Sequence, residues 1–357
     1  MSKLFLLLFA IFCGGMLSAN TPELVINPDA ENWQKVLTEQ LKRYPQTDTL
    51  RLELATPSIP ELPEHDFKYI TINLRESTRP VSLIPLSKFK LKSLSLIYGS
   101  FKDLYAIDRS SLESLNDNWL YDSAISTEEY SGLDFSELRR FTTGKLNGST
   151  LDLSKVPKLE KLRISSYSNA VHLILHPDVK LKELSIPGDL TAILPGLDLS
   201  CLENLTILYP QNPPVDYSIL ETLQLPKLKG LDLFPTGKGK LRLPLLPYLQ
   251  ELNTASGMEV SLKMLKDKCP DLKELSLSGK VTDWDILPSM PLEKLHIRYV
   301  DNVKYVLPVS APANCVVTGL PDFTENPYKM WTLWGVCVTI FALCTMLYRH
   351  SLRKELK

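Results

Sequence analysis

Leucines recur along most of the chain in a six-residue pattern, LxxLxL, whose second half alternates apolar and polar positions. Full copies, with Ile allowed at the last position, begin at Leu91, Leu159, Leu181, Leu202, Leu228, Leu272 and Leu292. Copies that lack the last apolar residue begin at Leu112, Leu138 and Leu249. Successive starts lie 20 to 26 residues apart. Because this alternation is typical of a half-buried β-strand, the pattern predicts one strand-containing unit about every 22 residues.

Prolines mark the approach to several of these units. Four of them stand two residues before a repeat start, and these are Pro157, Pro226, Pro247 and Pro270. Pro291 stands one residue before Leu292. Proline fixes its own backbone φ and favours turns, so the same turn is predicted to lead into several strands.

The repeat resembles the leucine-rich repeat family, whose units of 20–29 residues are built around an LxxLxL strand. The resemblance covers residues 47–318 if degenerate strands near Leu50, Ile70 and Val316 are included. It implies an α/β or β-rich solenoid, a horseshoe with a parallel sheet on its concave face. A single unit cannot bury its own leucines, whereas a stack of ten units can.

One feature of the family is missing. The position eight residues beyond each repeat start, often Asn in the family, is here Gly99, Tyr167, Asp189, Pro210, Thr236, Gly257 and Lys280. An asparagine ladder would satisfy backbone groups along the turns. We therefore expect those groups to find other partners.

Residues 20–46 are predicted to form an N-terminal helical cap that covers the end of the solenoid. Asn27 can cap a helix with Pro28 at its first position, which is favourable for both residue types. The apolar face of this helix would then consist of Trp33, Leu37, Leu41 and Tyr44.

The two ends of the sequence predict a membrane-anchored protein. Residues 1–19 carry one Lys, a short apolar run and small residues, as a secretory signal peptide does, with an uncleaved anchor as the alternative. Residues 330–348 contain no charged side chain and would span roughly 28 Å as a helix, which is close to the thickness of a bilayer core. A basic tail, 349–357, follows and is predicted to be cytoplasmic. The solenoid and a linker, 319–329, would then lie outside the cytoplasm, in the periplasm or at the cell surface.

Composition and motifs argue against several classes of function. The formal net charge is −1, with 40 basic and 41 acidic residues, so nucleic acid is not an expected partner. The predicted ectodomain contains three widely spaced cysteines, Cys201, Cys269 and Cys315, which is typical neither of a disulfide framework nor of a zinc site. His172 and His176 lie in a segment that alternates as a strand, without a carboxylate at metal-ligand spacing. No catalytic motif is found, so we expect no enzymatic activity, no cofactor and no metal.

The outward positions within LxxLxL are the candidate binding surface, because they would line the concave face. Their charges cluster along the predicted stack as a basic patch, an acidic run and a second basic end: Arg140, Lys161 and Arg163; Glu183, Asp232, Glu251 and Glu274; Lys294, His296 and Arg298. This clustering favours recognition of a charged protein or glycan, while a merely solvated sheet face is the alternative.

Two units are 26 residues long and carry aromatic residues. The first contains Trp119, Tyr121 and Tyr130, and the second contains the stretch YPQNPPVDY, which ends at Tyr217. Such insertions can form binding loops, but an irregular crossover packed on the convex side is the favoured interpretation.

The sequence therefore predicts a single-pass membrane protein that recognises or adheres to an unidentified protein or glycan without catalysis. A structural scaffold or spacer of the cell envelope is the alternative. An enzyme accessory or degenerate hydrolase is a further, weaker one.

Overall fold

In a computed structural model, the chain forms a parallel β-solenoid with few helices. The structure describes residues 23–74, 79–118, 125–126, 130, 134–147, 150–167, 172–187, 193–194, 196–208, 214–234, 236–300 and 307–319. Among the described residues, the α-helices are α1 (Trp33–Arg43) and α2 (Leu262–Lys268), and short 3-10 helices span Ile84–Leu86, Leu104–Ala106, Tyr217–Thr222 and Trp284–Ser289. The strands are β1 (Leu24–Ile26), β2 (Thr49–Leu54), β3 (Tyr69–Leu74), β4 (Val81–Ser82), β5 (Ser93–Ile97), β6 (Phe101–Lys102), β7 (Ser114–Asn118), β8 (Ile125–Ser126), β9 (Arg140–Asn147), β10 (Thr150–Leu153), β11 (Lys161–Tyr167), β12 (His172–Leu175), β13 (Glu183–Pro187), β14 (Asn204–Leu208), β15 (Gly230–Leu233), β16 (Glu251–Asn253), β17 (Glu259–Ser261), β18 (Glu274–Thr282), β19 (Lys294–Val300) and β20 (Val316–Thr318).

One large sheet runs the length of the solenoid. Its strand order is β1-β2-β3-β5-β7-β9-β11-β13-β14-β15-β16-β18-β19-β20, and each neighbouring pair is parallel. Shorter parallel ladders, β4 with β6 and β10 with β12, form separate two-stranded sheets. The predicted repeat of one strand per unit and the parallel sheet are confirmed.

The leucines of the repeat form the core because the register places them directly over one another. Leu205 of β14 lies opposite Leu231 of β15, and Ile207 lies opposite Leu233. These four side chains are at most 2% exposed. The buried apolar residues form one cluster that extends from Leu24 to Val300. Each unit therefore completes its core with the leucines of the units on either side.

The turn predicted before the strands is confirmed at three of its prolines. The backbone N–H of Leu228, Leu249 and Leu272 each donates to the carbonyl oxygen three residues earlier, at 3.2 Å. Pro226, Pro247 and Pro270 each occupy the second position of such a turn, where their fixed φ is favourable. The N–H groups of Leu112 and Leu202 donate in the same way to the carbonyl oxygens of Arg109 and Leu199. Ser110 and Ser200 occupy the second position of these two turns.

Other backbone contacts replace the asparagine ladder. At the ladder positions, the Thr236 carbonyl oxygen accepts from the Val215 N–H at 2.9 Å, and the Lys280 N–H donates to the Met258 carbonyl oxygen at 2.9 Å. Both bonds join the turns of neighbouring units. At one place a side chain takes part, because Thr254 Oγ1 accepts from the Ser278 N–H at 2.9 Å. The expectation that these groups find other partners is met mainly by the backbone itself.

Glycines allow neighbouring turns to stack closely. Gly257 and Gly279 have φ values of +77° and +82°, in the left-handed region that side chains disfavour. A Cβ at Gly257 would lie 2.8 Å from the Gly237 carbonyl oxygen. A Cβ at Gly279 would clash with the carbonyl oxygen of Met258, which accepts a hydrogen bond from the Lys280 N–H at 2.9 Å.

The N-terminal helix is shorter than predicted. It begins at Trp33 rather than at Pro28, because Asn27 closes a local turn in which its Oδ1 accepts from the Asp29 N–H at 3.0 Å. Leu37 is buried, Trp33 and Leu41 pack partly against the core, and Tyr44 lies just beyond the helix and is 36% exposed. The helix contacts β1, a strand that the sequence pattern did not predict.

Polar side chains replace the missing apolar residue in the three weaker repeats. Asp117, Thr143 and Thr254 all point into the core and are at most 3% exposed. Asp117 Oδ2 accepts a hydrogen bond from the Tyr130 hydroxyl at 2.8 Å. Its register neighbour Thr143 has a buried hydroxyl with no hydrogen-bond partner among the described residues. Burial raises the pKa of the Asp117 carboxyl to about 6, although the hydrogen bond from Tyr130 opposes this shift.

Among the described residues, no helix has both the length and the apolar composition needed to cross a membrane. The predicted signal peptide, 1–19, and the predicted membrane helix, 330–348, lie outside the described residues, so both stay predictions.

We predict that Gly279→Ala destabilises the protein more than Gly239→Ala does. Both glycines have positive φ, +82° and +74°, but a Cβ at Gly239 meets no atom within 4 Å. The strain of a left-handed alanine is thus common to both variants, at about 1 kcal/mol. The close approach to Met258 should cost Gly279→Ala about 1–3 kcal/mol more. Urea unfolding of both variants measures this difference, and equal losses would contradict the stacking of the turns.

We also predict that Asp117 makes stability depend on pH. Because the folded-state pKa is raised to about 6 from 3.8, the fold favours the protonated carboxyl, and stability falls as pH rises from about 4 through 6. The loss is complete above that window and amounts to about 3 kcal/mol. Asp117→Asn should therefore be more stable than the wild type at pH 7.5 and similar to it at pH 4. The control is Asp134→Asn, at an exposed carboxyl. Parallel pH profiles for the wild type and Asp117→Asn would disprove the prediction.

Candidate recognition surface on the main sheet

The solvent-facing residues of the main sheet form two continuous rows, since parallel register places equivalent residues side by side. The first row consists of Thr49, Tyr69, Ser93, Ser114, Arg140, Lys161, Glu183, Asn204, Gly230, Glu251, Glu274, Lys294 and Val316. The second row consists of Arg51, Thr71, Ser95, Asn116, Thr142, Arg163, Ser185, Thr206, Asp232, Asn253, Ser276, His296 and Thr318. We call these two rows the sheet face.

The structure brings nine of the ten predicted site residues together on the sheet face. The tenth, Arg298, follows His296 by two positions on β19 and is exposed. Nearly all of the sheet-face residues are partly or fully exposed, whereas Ser276 is 6% exposed.

The predicted basic patch and acidic run are joined by ion pairs. Lys161 Nζ lies 2.5 Å from Glu183 Oε1, across the boundary between β11 and β13. Lys294 Nζ lies 2.5 Å from Glu274 Oε1 at the other end of the run. Asp232 accepts a hydrogen bond from the Asn253 amide. Because each pair links neighbouring units, part of the predicted charge clustering is used within the sheet itself.

Arg163 differs from these paired residues. Its side chain is exposed, and it makes no hydrogen bond or ion pair with any residue that the structure describes. Arg140, also exposed, lies one strand away and in the other row. On the acidic side, Glu251 is exposed next to Glu274. His296 Nδ1 lies 2.8 Å from Thr318 Oγ1. The sheet face thus has a positive part at β9 and β11, in the middle of the strand order, and a negative part at β15 and β16.

A ladder of alternating charges borders the first row and was missed in the sequence. It comprises the residues just before the first row, beginning with Lys92, Glu113, Arg139, Glu160, Lys182, Glu203 and Lys229. Its ion pairs include Arg139 with Glu160 at 2.9 Å, Glu160 with Lys182 at 3.2 Å and Glu203 with Lys229 at 2.8 Å. The hydrogen bond from Lys182, together with nearby positive charge, lowers the pKa of Glu160. The residue at the second position of LxxLxL alternates in charge from Lys92 to Lys229, and this alternation could have predicted the ladder.

The long units do not place their described aromatic residues in solvent. Tyr130 and Tyr217 are each 1% exposed, and burial raises the pKa of the Tyr217 phenol. Tyr130 packs edge-on against Phe141, with ring centroids 5.0 Å apart. Trp119, Tyr121 and residues 209–213 lie outside the described residues. The interpretation as a packed crossover fits both tyrosines, which contribute to the core rather than to a binding surface.

His176 and Cys269, which stood out in the sequence, have local structural roles. His176 Nδ1 accepts a hydrogen bond from the Asp178 N–H at 3.1 Å, in a turn after β12. Cys269 is 1% exposed and precedes the turn at Pro270, and burial raises the pKa of its thiol to about 12. Such a thiol is a poor nucleophile, because the thiolate is the reactive form.

No protein-family model matches the chain, and a search of the curated proteins found no match. Function therefore has to be inferred from the sheet face.

We predict that Glu160→Lys destabilises the protein in a salt-dependent way. The new lysine would lie between Arg139 and Lys182 and would replace two ion pairs by repulsion. Exposed pairs are individually weak, so the expected loss is about 1 kcal/mol at low salt and less at roughly 1 M salt. Thermal unfolding at both salt concentrations measures this loss. Glu64→Lys is the control, at an exposed residue without a described partner. Equal effects for both variants would show that the ladder contributes nothing.

Proposed function

We propose that the protein is a non-catalytic recognition or adhesion protein whose sheet face binds a charged protein or glycan. The observation that carries the proposal is Arg163, an exposed guanidinium without a partner among the described residues, on a face where neighbouring charges are paired. Arginine binds carboxylate, sulfate and phosphate groups through two parallel hydrogen bonds. The positive part of the sheet face, at β9 and β11, is therefore the favoured site for an anionic group of the partner.

We further propose that the solenoid is a leucine-rich-repeat horseshoe with the sheet face on its concave side. The LxxLxL period of about 22 residues and the parallel sheet support this assignment. We propose that residues 330–348 anchor the chain and that the solenoid lies on the extracytoplasmic side. The charge-free apolar segment and the basic tail after it support this orientation.

A scaffold or spacer of the cell envelope is the second candidate. The observation in its favour is the extent of internal pairing, since the Lys161–Glu183 and Lys294–Glu274 pairs and the alternating ladder neutralise charge within the solenoid. A surface that satisfies its own charges needs no external partner.

We predict that Arg163→Glu weakens binding to anionic probes by at least tenfold, which corresponds to about 1.4 kcal/mol. The probes are a sulfated oligosaccharide and a glutamate-rich peptide, titrated against the full chain in detergent micelles. Lys102→Glu is the matched control, because Lys102 is an exposed cation on β6, outside the main sheet. Equal loss in both variants, or no binding of either probe to the wild type, would contradict the proposed site.

Affinity capture with the full chain separates recognition from scaffolding. Recovery of one partner that is lost with Arg163→Glu supports recognition. Recovery of only further copies of this chain, unchanged by that substitution, favours the scaffold.

A further inference from the structure

Part of the sheet face, outside the predicted site, is free of charge. Across β3, β5 and β7, both rows contain only hydroxyl, amide and phenol side chains, namely Tyr69, Thr71, Ser93, Ser95, Ser114 and Asn116. We call these six residues the neutral floor. All six are partly exposed. Every main-sheet strand from β9 to β19 except β14 carries at least one ionisable side chain in these rows.

Longer side chains lie on both sides of the neutral floor. On β2, Arg51 Nε pairs with Glu53 Oε1 at 2.6 Å, and Asn73 Nδ2 donates to Glu53 Oε2 at 2.9 Å. The Glu53 carboxylate is thus bound by Arg51 on the same strand and by Asn73 on the neighbouring strand. On the other side, Arg140 stands on β9 and is exposed. The serines and Thr71 of the floor are several bonds shorter than these arginines, whereas Tyr69 is a long side chain within the floor itself.

The size of the neutral floor follows from sheet geometry. Neighbouring strands are about 4.8 Å apart, so β3 to β7 spans about 10 Å. The two rows are two residues apart along each strand, which adds about 7 Å in the other direction. One or two sugar rings cover an area of this size.

The polar groups of the floor are suited to hydroxyl partners. Serine and threonine hydroxyls both donate and accept, and the asparagine amide does so with two different atoms. Asn116 Nδ2 donates to Ser95 Oγ at 3.2 Å, which orients the amide. The side-chain carbonyl oxygen of Asn116 is shielded from solvent and has no donor among the described residues, so the hydroxyl groups of the floor are the groups offered to a ligand.

The composition of the floor disfavours other ligand classes. An anionic or cationic group placed here would lose water without gaining an opposite charge. An apolar partner would find one aromatic ring, Tyr69, among five small polar side chains. Tyr69 instead provides an apolar ring face with a hydroxyl at its tip, the combination that suits the alternating C–H and O–H groups of a sugar.

We propose that the neutral floor binds an uncharged glycan chain. The proposal deepens the proposed function, since it rests on the sheet face as a recognition surface. It assigns neutral sugar units to β3, β5 and β7, at a subsite separate from the anion-binding position at Arg163.

The test is Ser95→Arg, which places a long cation in the middle of the floor. The fold should tolerate this change, because Arg51 and Arg163 occupy the same row of the same sheet. Ser185→Arg is the matched control, since Ser185 lies in that row on β13, outside the floor. The probes are neutral hexose and N-acetylhexosamine oligosaccharides, screened as an array on the full chain and then titrated by calorimetry.

The proposal predicts that the wild type binds a neutral oligosaccharide and that Ser95→Arg weakens this binding at least tenfold. Ser185→Arg and Arg163→Glu should change it less than twofold. Equal weakening by both serine variants, or no neutral oligosaccharide bound at millimolar concentration, overturns the proposal. If Ser95→Arg does not fold by circular dichroism, Ser114→Lys takes its place, because lysines already occupy the first row at 161 and 294.

The two proposals fail separately. Unchanged anionic-probe binding in Arg163→Glu would overturn the charged site alone. Unchanged neutral-glycan binding in Ser95→Arg would overturn the floor alone.

Discussion

The leucines of one unit are buried only by the leucines of the units beside it. This constraint produces the single core cluster from Leu24 to Val300 and requires every strand of the main sheet to share one register. A slip by one residue would turn the apolar rung outward and the charged rows inward, so the register is strongly determined. Stability is then a sum of nearest-neighbour contacts, as in other repeat architectures.

The same register determines which side chains face solvent and which face the core. It presents Arg163, Asp232 and Glu251 on the outer face and holds Asp117 inside. It also brings backbones close enough that Gly279 has no room for a side chain. The sheet face is therefore continuous from the neutral floor to the charged strands. On the proposed function, an anionic and a neutral ligand group would bind side by side on this surface.

The fold was largely predictable from the sequence, whereas the site was predictable only in part. Leu205 and Ile207 could be placed in the core because alternation specifies the buried side of a strand. The Lys161–Glu183 pair was not anticipated, because adjacent rungs are 22 residues apart along the chain and linear charge clusters do not show which side chains meet. The start of α1 and the strand β1 were missed, since both depend on a short local turn and on contacts with β2. The sequence indicates only that Tyr130 is an aromatic residue of a long unit. Its place in the core could not be predicted, because it depends on a hydrogen bond to Asp117, which is itself buried.

Residue-resolved hydrogen exchange of the full chain in micelles tests the central claim, that the units form one continuous stacked core. The account predicts slow exchange of the inward rung amides, Leu184, Leu205 and Leu231 among them, with similar protection from β3 to β19, because each strand bonds to both neighbours. Fast exchange within these strands, or a break in protection that divides the solenoid into independent blocks, would contradict it.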